Sequence, residues 1–576
     1  MPEGRETFPL DVLFVGGGPA CLAGAIHLAS LVKRHNAALE AGEPTAAGAA
    51  GAGKGSPLAL EIGVIEKARE VGHHGLSGAV LNPRALKELI PDYLEKGCPI
   101  AREVRKDAFY YLTRGGHIKV PGFMVPPAND NKGLYTISLQ RLTKWLAEVA
   151  EEMGINLFPG TTGVEILYDG ERVAGVRTGD KGLEKGGGHK PNFEPGIDIQ
   201  ARVTIFGEGP YGTLSEDLIH RHKLREGRNP QIYSLGVKEV IKVPKSTGEG
   251  LVFHTLGFPL RPDQFGGGFF YELDEDTYSV GFVASLSWKD PMFDCQAALQ
   301  ALKKHPLIQS YIKGGDVLAY GAKTIPEGGF WSVPRPYVAG ALLVGDSAGL
   351  VNVKQLKGIH LAMKSGMLAA ETVIEALIRD DVSEKSLSAY ERRLNESYVM
   401  KSLWGDRNFR ISFGKGLYRG LLSTGIHMVT GGGSKKMTPL QPDHKGFEPA
   451  SRAHRDIPEP SGYDPSTIVD KLTDVFKSGT IHREDQPSHI RIIDPDKCVD
   501  VCMPAYGVAP CTNFCPARVY ELVEDPAGKR IQINFSNCVH CKTCVILDPI
   551  DVMEGDHIQN IDWRAPSEGG PKYLKL

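Results

Sequence analysis

The stretch DVLFVGGGPAC, residues 11–21, decides the fold of the first half of this chain. Asp11 to Val15 has the length and apolar character of a short buried strand. Gly16-Gly17-Gly18-Pro19-Ala20-Cys21 follows as a turn, and Leu22 to Val32 continues as an apolar helix. Strand, glycine turn and helix in that order form the dinucleotide fingerprint. Glycines let the backbone approach a pyrophosphate, and the helix N-terminus offers free amides and the positive end of its dipole. Cys21 stands where a third glycine is usual, and its small side chain still permits close helix–strand packing. The strand Ala59 to Ile65 ends in Glu66, the acid expected on a ribose hydroxyl. That acid normally falls about 20 residues beyond the motif. Here an Ala/Gly/Pro-rich insert over residues 37–57 lengthens the interval and is expected to be a surface loop.

Further along, Leu76 to Tyr93 gives a Pro-broken loop and a short amphipathic helix, and His117 to Pro127 is apolar and too rich in proline for a long helix. Arg141 to Met153 is another helix. Asp169-Gly170 joins a hairpin of Val164–Tyr168 and Arg172–Arg177. Val203–Phe206 is a strand running into Gly207-Glu208-Gly209. From Ser234 to Leu286 the pattern alternates as in an inserted antiparallel sheet, with Gly266-Gly267-Gly268 turning ahead of Phe269. The strand Ala341–Val344 then meets Gly345-Asp346, and a helix runs from about Lys357 to Leu377. A buried strand ending in Gly-Asp before a helix is the other end of a flavin site, the Asp accepting from the ribityl chain. Alone it is equally a helix cap; together with the fingerprint it points to FAD. Nothing comparable offers a separate nicotinamide domain.

Near the end stands Cys538-Val-His-Cys541-Lys-Thr-Cys544, preceded by Cys515-Pro516. Three thiolates at C-x2-C-x2-C spacing plus a distant Cys-Pro are the ligand pattern of a [4Fe–4S] cluster. Zinc knuckles, the alternative, more often pair two separate C-x2-C motifs. Cys498, Cys502 and Cys511 precede this set. In two-cluster ferredoxins the cysteine before proline in each run serves the other cluster. Here the second run ends in Asp548-Pro549, and Cys502 and Cys511 lie far apart in sequence. Carboxylate is a harder, poorer ligand for such iron, so one [4Fe–4S] cluster is expected. A second centre on Cys498, Cys502 and Cys511, of three irons or zinc, is the alternative.

Hydrophobic content of 41% and charge of 23% over 576 residues describe an ordinary globular chain with room for several domains. A net charge of -3 supplies no attraction to nucleic acid. Seven of the ten cysteines fall between Cys498 and Cys544, which suits metal ligation in a reducing compartment. Cys98 and Cys295 are expected to be small buried hydrophobes, and His73 and His74 to serve local structure. The N-terminus shows neither signal nor transit peptide, and no apolar stretch is long enough to span a membrane. Leu417, Tyr418, Leu421, Leu422, Ile426 and Val429 recur at helical spacing among Arg407, Arg410, Lys415 and Arg419. Such a helix either faces the core or lies in a membrane interface.

These features together resemble electron transfer flavoprotein–ubiquinone oxidoreductase over nearly the whole chain. The most specific pieces are HGLSGAVLNPRALKELIPDY, VTIFGEGPYG, FGGGFFYEL, AYGAKTIPEGGF, KGIHLAMKSG, FCPARVYEL, NCVHCKTC and GGPKY. The resemblance implies an α/β FAD-binding Rossmann-like domain, an inserted antiparallel α+β quinone-binding domain and a C-terminal ferredoxin-like iron–sulfur domain. The implied boundaries are 1–75, 131–233 and 326–400 for FAD; 76–130 and 234–325 for quinone and membrane contact; 401–431 for an amphipathic membrane-contact segment; 432–465 for a linker; and 466–576 for the cluster. By position, Cys515, Cys538, Cys541 and Cys544 match the cluster ligands, and Gly266 and Gly267 the quinone-contact glycines. Gly16, Gly17, Gly18, Pro19, Ala20, Cys21, Glu66, Lys67, Ser77, Gly78, Gly207, Glu208, Gly345, Asp346 and Gly358 match the FAD site. Val71–Asp92 and roughly Phe413–Gly431 match segments that dip into one leaflet. The implied partners are electron transfer flavoprotein, ubiquinone or another membrane quinone, and a membrane surface. The implied location is peripheral, on the cytoplasmic face of a bacterial inner membrane. A flavin-dependent polyprenyl reductase or hydroxylase, and an electron-carrying scaffold with a structural flavin, are the other readings.

Overall fold

The apolar run ahead of the glycine turn becomes the strand Thr7–Val15, at the centre of the first sheet of a computed structural model that describes residues 5–43, 56–75, 78–526, 528–552, 559–566 and 572–573. Val12, Leu13 and Phe14 are fully buried, as expected of a strand covered on both faces. Asp198–Phe206 pairs parallel on one side and Ile62–Glu66 on the other. Ala341–Leu343 and Asn156–Pro159 continue the sheet in the same direction. Successive strands thus run to opposite sides of Thr7–Val15, and ligands bind such sheets in the crevice beyond the carboxyl ends at that switch point. The expected hairpin forms from Gly163–Asp169 and Arg172–Thr178, its second strand antiparallel to Asp198–Phe206.

The helix after the turn runs from Pro19 to Ala41, beyond its expected end at Val32, and Gly42 in left-handed conformation closes it. The presumed surface insert therefore begins as helix; its residues 44–55 lie outside the described residues. This helix crosses Ile359–Ile378 at backbone contact. A Cβ on Gly366 would sit 1.9 Å from the carbonyl oxygen of Ala20, and one on Gly24 would sit 2.8 Å from the Phe14 ring. Two glycines thus bring together the helices that deliver both ends of the crevice.

The second sheet has seven strands in the order Asp316–Pro326, Tyr233–Lys242, Thr277–Ser285, Gly266–Glu272, Leu251–Gly257, Lys106–Leu112, His117–Lys119. All neighbours are antiparallel except Leu251–Gly257 with Lys106–Leu112. Segments distant in sequence, 106–119 and 233–326, thus build one sheet. The division at residue 130 is corrected by the structure: Ala79–Leu81, Tyr135–Ile137 and Ile100–Glu103 form a single three-stranded sheet across it. Val71–Asp92 is also corrected as a lipid-facing segment. Val80, Leu81, Ala85, Leu86 and Ile90 are buried, because the helix Arg84–Leu89 packs on the two crossing helices.

One continuous apolar core joins the second sheet to the C-terminal domain, from Leu235, Phe282 and Tyr320 to Val475, Phe514, Tyr520 and Leu547. A buried polar network crosses the same seam. Lys303 Nζ donates to Glu239 at 2.5 Å with both side chains fully buried. Gln296 and Gln300 of the inserted domain donate to Asp474 of the helix Lys471–Ser478. Breaking such a pair strands a buried charge, so the network holds the seam to one arrangement.

Gly366→Ala should destabilise the protein by about 1–3 kcal/mol, the usual scale of overpacking. A lower denaturant midpoint and weaker flavin retention are expected; an unchanged midpoint would show that the helices do not touch.

Candidate functional site

The carboxyl ends of the central strands are tied to one another at the crevice. Gly16 N–H donates to the Ile65 carbonyl and Gly207 N–H to the Val15 carbonyl, each at 2.9 Å. Gly16 adopts φ +107°, and a Cβ there would lie 2.6 Å from the Gly207 oxygen. Gly17 N–H donates to Glu66 Oε2 at 2.7 Å, and Ala68 N–H to Glu66 Oε1 at 2.8 Å, so the acid is held rigidly at the turn. Gly18 faces open space, and the first helical turn beyond it has no side-chain cap and no acidic residue. Uncapped amides at a long helix's N-terminus with room in front are an anion cradle.

That room belongs to a cavity of about 1060 Å³, more than a single drug-sized ligand fills. Gly16, Gly17, Gly18, Pro19, Ala20, Glu66, Lys67, Gly78, Gly207, Glu208, Asp346 and Gly358 line one part of it, and Gly266 and Gly267 another. Two expected contacts are corrected. Cys21 is fully buried behind the turn, where its sulfur fills the space a Gly207 side chain would need. Gly345 is packed between Ala20 and Ala362 and donates to Ser365 Oγ. Ser77 lies outside the described residues. Burial pushes the Asp346 carboxyl up to about 6, against the pull of Lys323. A hydroxyl donor from a flavin ribityl chain would relieve that, so the residues fit FAD.

Gly266 and Gly267 also have a purely structural reason to be glycine. A Cβ on either would lie within about 2.1 Å of a neighbouring strand's carbonyl oxygen. Beside them His254 Nε2 and the Tyr271 hydroxyl stand 2.9 Å apart. Burial pushes the imidazole down to about 3, so it is neutral. The cavity then opens past Phe123, Met124, Pro126 and Leu421. Phe123 is 87% exposed, and Met124, Ile118, Tyr418, Leu422 and Ile426 are exposed around it. The Tyr111 and Tyr418 hydroxyls, 3.0 Å apart, tie the helix Leu417–Val429 to this rim. Of the four basic residues near that helix, Arg407 and Arg410 are buried, on backbone carbonyls and on Glu327 respectively. Only Lys415 and Arg419 reach solvent.

Cys515, Cys538, Cys541 and Cys544 are buried around a second, small cavity with Ile490, Val519 and Tyr520. Backbone N–H groups of Val519 and His540 point at the sulfurs of Cys515 and Cys538, and the Thr543 hydroxyl points at that of Cys541, all at 3.4 Å. His540 and Lys542 take left-handed backbone conformations, strain that persists only where the surroundings impose it. Burial pushes the thiols up, that of Cys515 to about 11. Four desolvated thiols, three of them with donors aimed at the sulfur, fit a [4Fe–4S] cluster, which demands thiolates.

The structure adds residues that the motifs did not reveal. Thr324 donates from its backbone N–H and its hydroxyl to the Cys541 carbonyl, at 3.3 and 2.9 Å. Lys542 Nζ donates to the Tyr211 carbonyl at 2.7 Å. Lys67 and Lys542 both stand over the Trp563 ring, with ammonium-to-ring distances of 5.1 and 4.9 Å, and all three line the large cavity. The His74 ring, from the flavin side, lies 5.4 Å from that of His540 and tilted to it, and His540 contacts the His482 and His489 rings. Burial lowers His489 and His540 well below the usual imidazole range, so they carry no charge at neutral pH. His540 sits in the cysteine motif and His74 opens the HGLSG stretch; His482 and His489 join them only through folding.

An FAD crevice and a thiolate cluster domain that line one cavity define an iron–sulfur flavoprotein oxidoreductase. Residues 466–574 match the family described as electron transfer flavoprotein-ubiquinone oxidoreductase, 4Fe-4S, and residues 233–325 match ETF-QO, ubiquinone-binding. The chain is 40% identical to electron transfer flavoprotein-ubiquinone oxidoreductase, mitochondrial, of Arabidopsis thaliana, over 99% of this chain and 85% of that one. It is 38% identical to the enzyme of that name from Pseudomonas aeruginosa, over 99% and 100%. A geranylgeranyl bacteriochlorophyll reductase-like protein of Thermoplasma acidophilum shares the fold, with TM-score 0.50 and 21% identity over 69% of this chain and 86% of its own. The chain belongs to the electron transfer flavoprotein–ubiquinone oxidoreductase family.

Gly18→Glu should abolish flavin retention, because its carboxylate would occupy the anion cradle. Cys21→Gly should keep the flavin while losing on the order of 1 kcal/mol of helix stability. Full yellow colour in purified Gly18→Glu protein would contradict the site.

Proposed function

We propose that the protein takes electrons from reduced electron transfer flavoprotein and reduces ubiquinone or another membrane quinone. The observation that carries this reading is the single cavity that runs from the glycine turn, past Lys542 and Trp563 of the cluster domain, to an exposed apolar rim. When bound, a [4Fe–4S] cluster and FAD supply the electron chemistry, accepting singly and delivering two. Cys515, Cys538, Cys541 and Cys544 hold the cluster. The uncapped amides after Gly18 hold the pyrophosphate, Glu66 a ribose hydroxyl, and Asp346 the ribityl chain. Gly266 and Gly267 bring strand backbone to the quinone head, and the His254–Tyr271 pair is placed to move a proton to it.

The rim gives the quinone's isoprenoid tail a route that need not cross water. No helix among the described residues is long and apolar enough to cross a membrane. Attachment is therefore peripheral, through the Leu417–Val429 helix and the segment 117–126, with Lys415 and Arg419 on lipid headgroups. The cytoplasmic face of the inner membrane suits ten cysteines of which none is in a disulfide, because that compartment keeps thiols reduced. A polyprenyl reductase or hydroxylase shares the flavin fold but has no use for the cluster domain. A scaffold with a structural flavin would not reduce quinone.

The test is quinone reduction by purified protein with reduced electron transfer flavoprotein as donor; a flavin left oxidised by that donor would refute the function. Leu421→Asp with Leu422→Asp should weaken vesicle binding by more than about tenfold, since two buried leucines contribute on the order of 3 kcal/mol. Turnover with a long-tailed quinone should fall more than with a short, water-soluble one. A double variant that stays bound and treats both quinones alike would make this helix part of the core.

A further inference from the structure

Three cysteines lie outside the site described so far, and folding brings them to one place. Cys498 is on the helix Pro495–Asp500, Cys502 begins Cys502–Tyr506, and Cys511 begins Cys511–Phe514. Asp548 follows the helix Thr543–Leu547. Cys498, Cys502 and Asp548 are buried, Cys511 is half-buried, and no thiol is in a disulfide. Two successive residues connect the group. Asn560 Nδ2 donates to Cys498 Sγ at 3.5 Å, and Ile561 N–H donates to Asp548 Oδ2 at 2.5 Å. Asn560 Oδ1 in turn accepts from Asp494, the cap of the helix that carries Cys498.

The four groups also act on one another electrically. Burial is what chiefly raises the Cys502 and Cys511 thiols; Asp548 and Cys498 add to it at Cys502, and Cys498, Asp548 and Cys502 at Cys511. Burial pushes the Asp548 carboxyl up to about 7. None of the charges acting most strongly on these four groups is positive. Gathering potential anions in a dry place without a cation is costly unless a metal group neutralises them.

The spacing separates two kinds of metal group. A tetrahedral zinc with Zn–S bonds of about 2.3 Å needs sulfurs about 3.8 Å apart. Among the described residues, only His482, His489 and His540 bring three ligand atoms within 4.8 Å of one another. Cys498, Cys502, Cys511 and Asp548 are wider than that, and so are Cys515, Cys538, Cys541 and Cys544. An open cage suits a cluster, whose irons stand between the sulfurs. The connectivity agrees. Cys515-Pro516 leaves the first run to join Cys538, Cys541 and Cys544, and Asp548-Pro549 leaves the second run to join Cys498, Cys502 and Cys511. That exchange is the ligand pattern of two-cluster ferredoxins. The wide sequence gap between Cys502 and Cys511 is bridged by the turn at Gly507 and the restart at Pro510.

We propose that Cys498, Cys502, Cys511 and Asp548 hold a second iron–sulfur cluster, with three thiolates and one carboxylate as its protein ligands. It adds to the [4Fe–4S] cluster on the other four cysteines. Cys511 and Cys515, one helical turn apart, bring the two centres side by side. The second cluster serves as a one-electron relay: one electron enters from the donor flavoprotein, one leaves to the neighbouring cluster, and no bond to substrate forms. A carboxylate ligand sets it apart electronically from its all-thiolate neighbour.

Iron and acid-labile sulfide, measured against FAD in anaerobically purified holoprotein, decide this. About seven or eight irons per FAD are expected, against about four for a single [4Fe–4S] cluster. Cys502→Ser should lose about half the iron and keep its FAD. Cys541→Ser should likewise lose about half, where a single-centre protein would lose all of it, so the test stands even if Cys502→Ser fails to fold. Asp548→Cys should keep the iron and shift the spectrum and potential of one centre only. About four irons, all lost in Cys541→Ser, would overturn the proposal, and so would one zinc per FAD that Cys502→Ser removes.

Discussion

Thr324 donates twice to one carbonyl oxygen, that of Cys541, and the geometry of electron transfer depends on it. Thr324 sits near the end of the strand Asp316–Pro326, whose next residues turn toward the large cavity. Cys541 sits in the loop that carries three of the four motif cysteines. Lys542, the next residue, reaches Tyr211 on the flavin side, and Tyr320 donates to the carbonyl of Pro516. A single sheet edge thus fixes the cluster loop against the cavity. Electron transfer between fixed centres needs such constancy, because little covalent chemistry is left for side chains to perform.

The same economy explains the chain's glycines. Gly24 and Gly366 bring two helices to backbone contact, and Gly16 lets three strand ends meet. Gly266 and Gly267 keep one strand against its neighbours while exposing their backbone to the cavity. Structural need and ligand contact coincide at these two positions, so a substitution there disturbs both. Gly18 is different: no described residue fills the space before it, and uncapped helix amides facing that space suit an anion.

The local motifs were legible because each is a short-range device. Strand, glycine turn and helix lie consecutively at residues 7–41, and three thiols lie consecutively at 538–544. The inserted sheet was legible from alternation. Long-range consequences were not. Cys21 occupies a motif position, yet its sulfur turns away to fill the space over Gly207. Arg407 and Arg410 accompany an amphipathic helix in sequence, yet each is buried on partners outside it. The amphipathic stretch Ala79–Ile90 has the apolar face of a lipid-facing segment, but Val80, Leu81, Ala85, Leu86 and Ile90 are already buried against neighbouring elements. His74 and Thr324 lie in distinctive stretches and Trp563 in none, but their contacts with the cluster loop form only through the seam between domains.

The central claim is that the cluster loop, as seated on the sheet edge, lies on the electrons' path to the flavin. Bleaching of the bound flavin by reduced electron transfer flavoprotein, followed by stopped flow in native protein and in Cys541→Ser protein of equal FAD content, tests this most directly. The account predicts rapid bleaching in the native protein and loss of nearly all of that rate in the variant. Equal rates in the two proteins would contradict it.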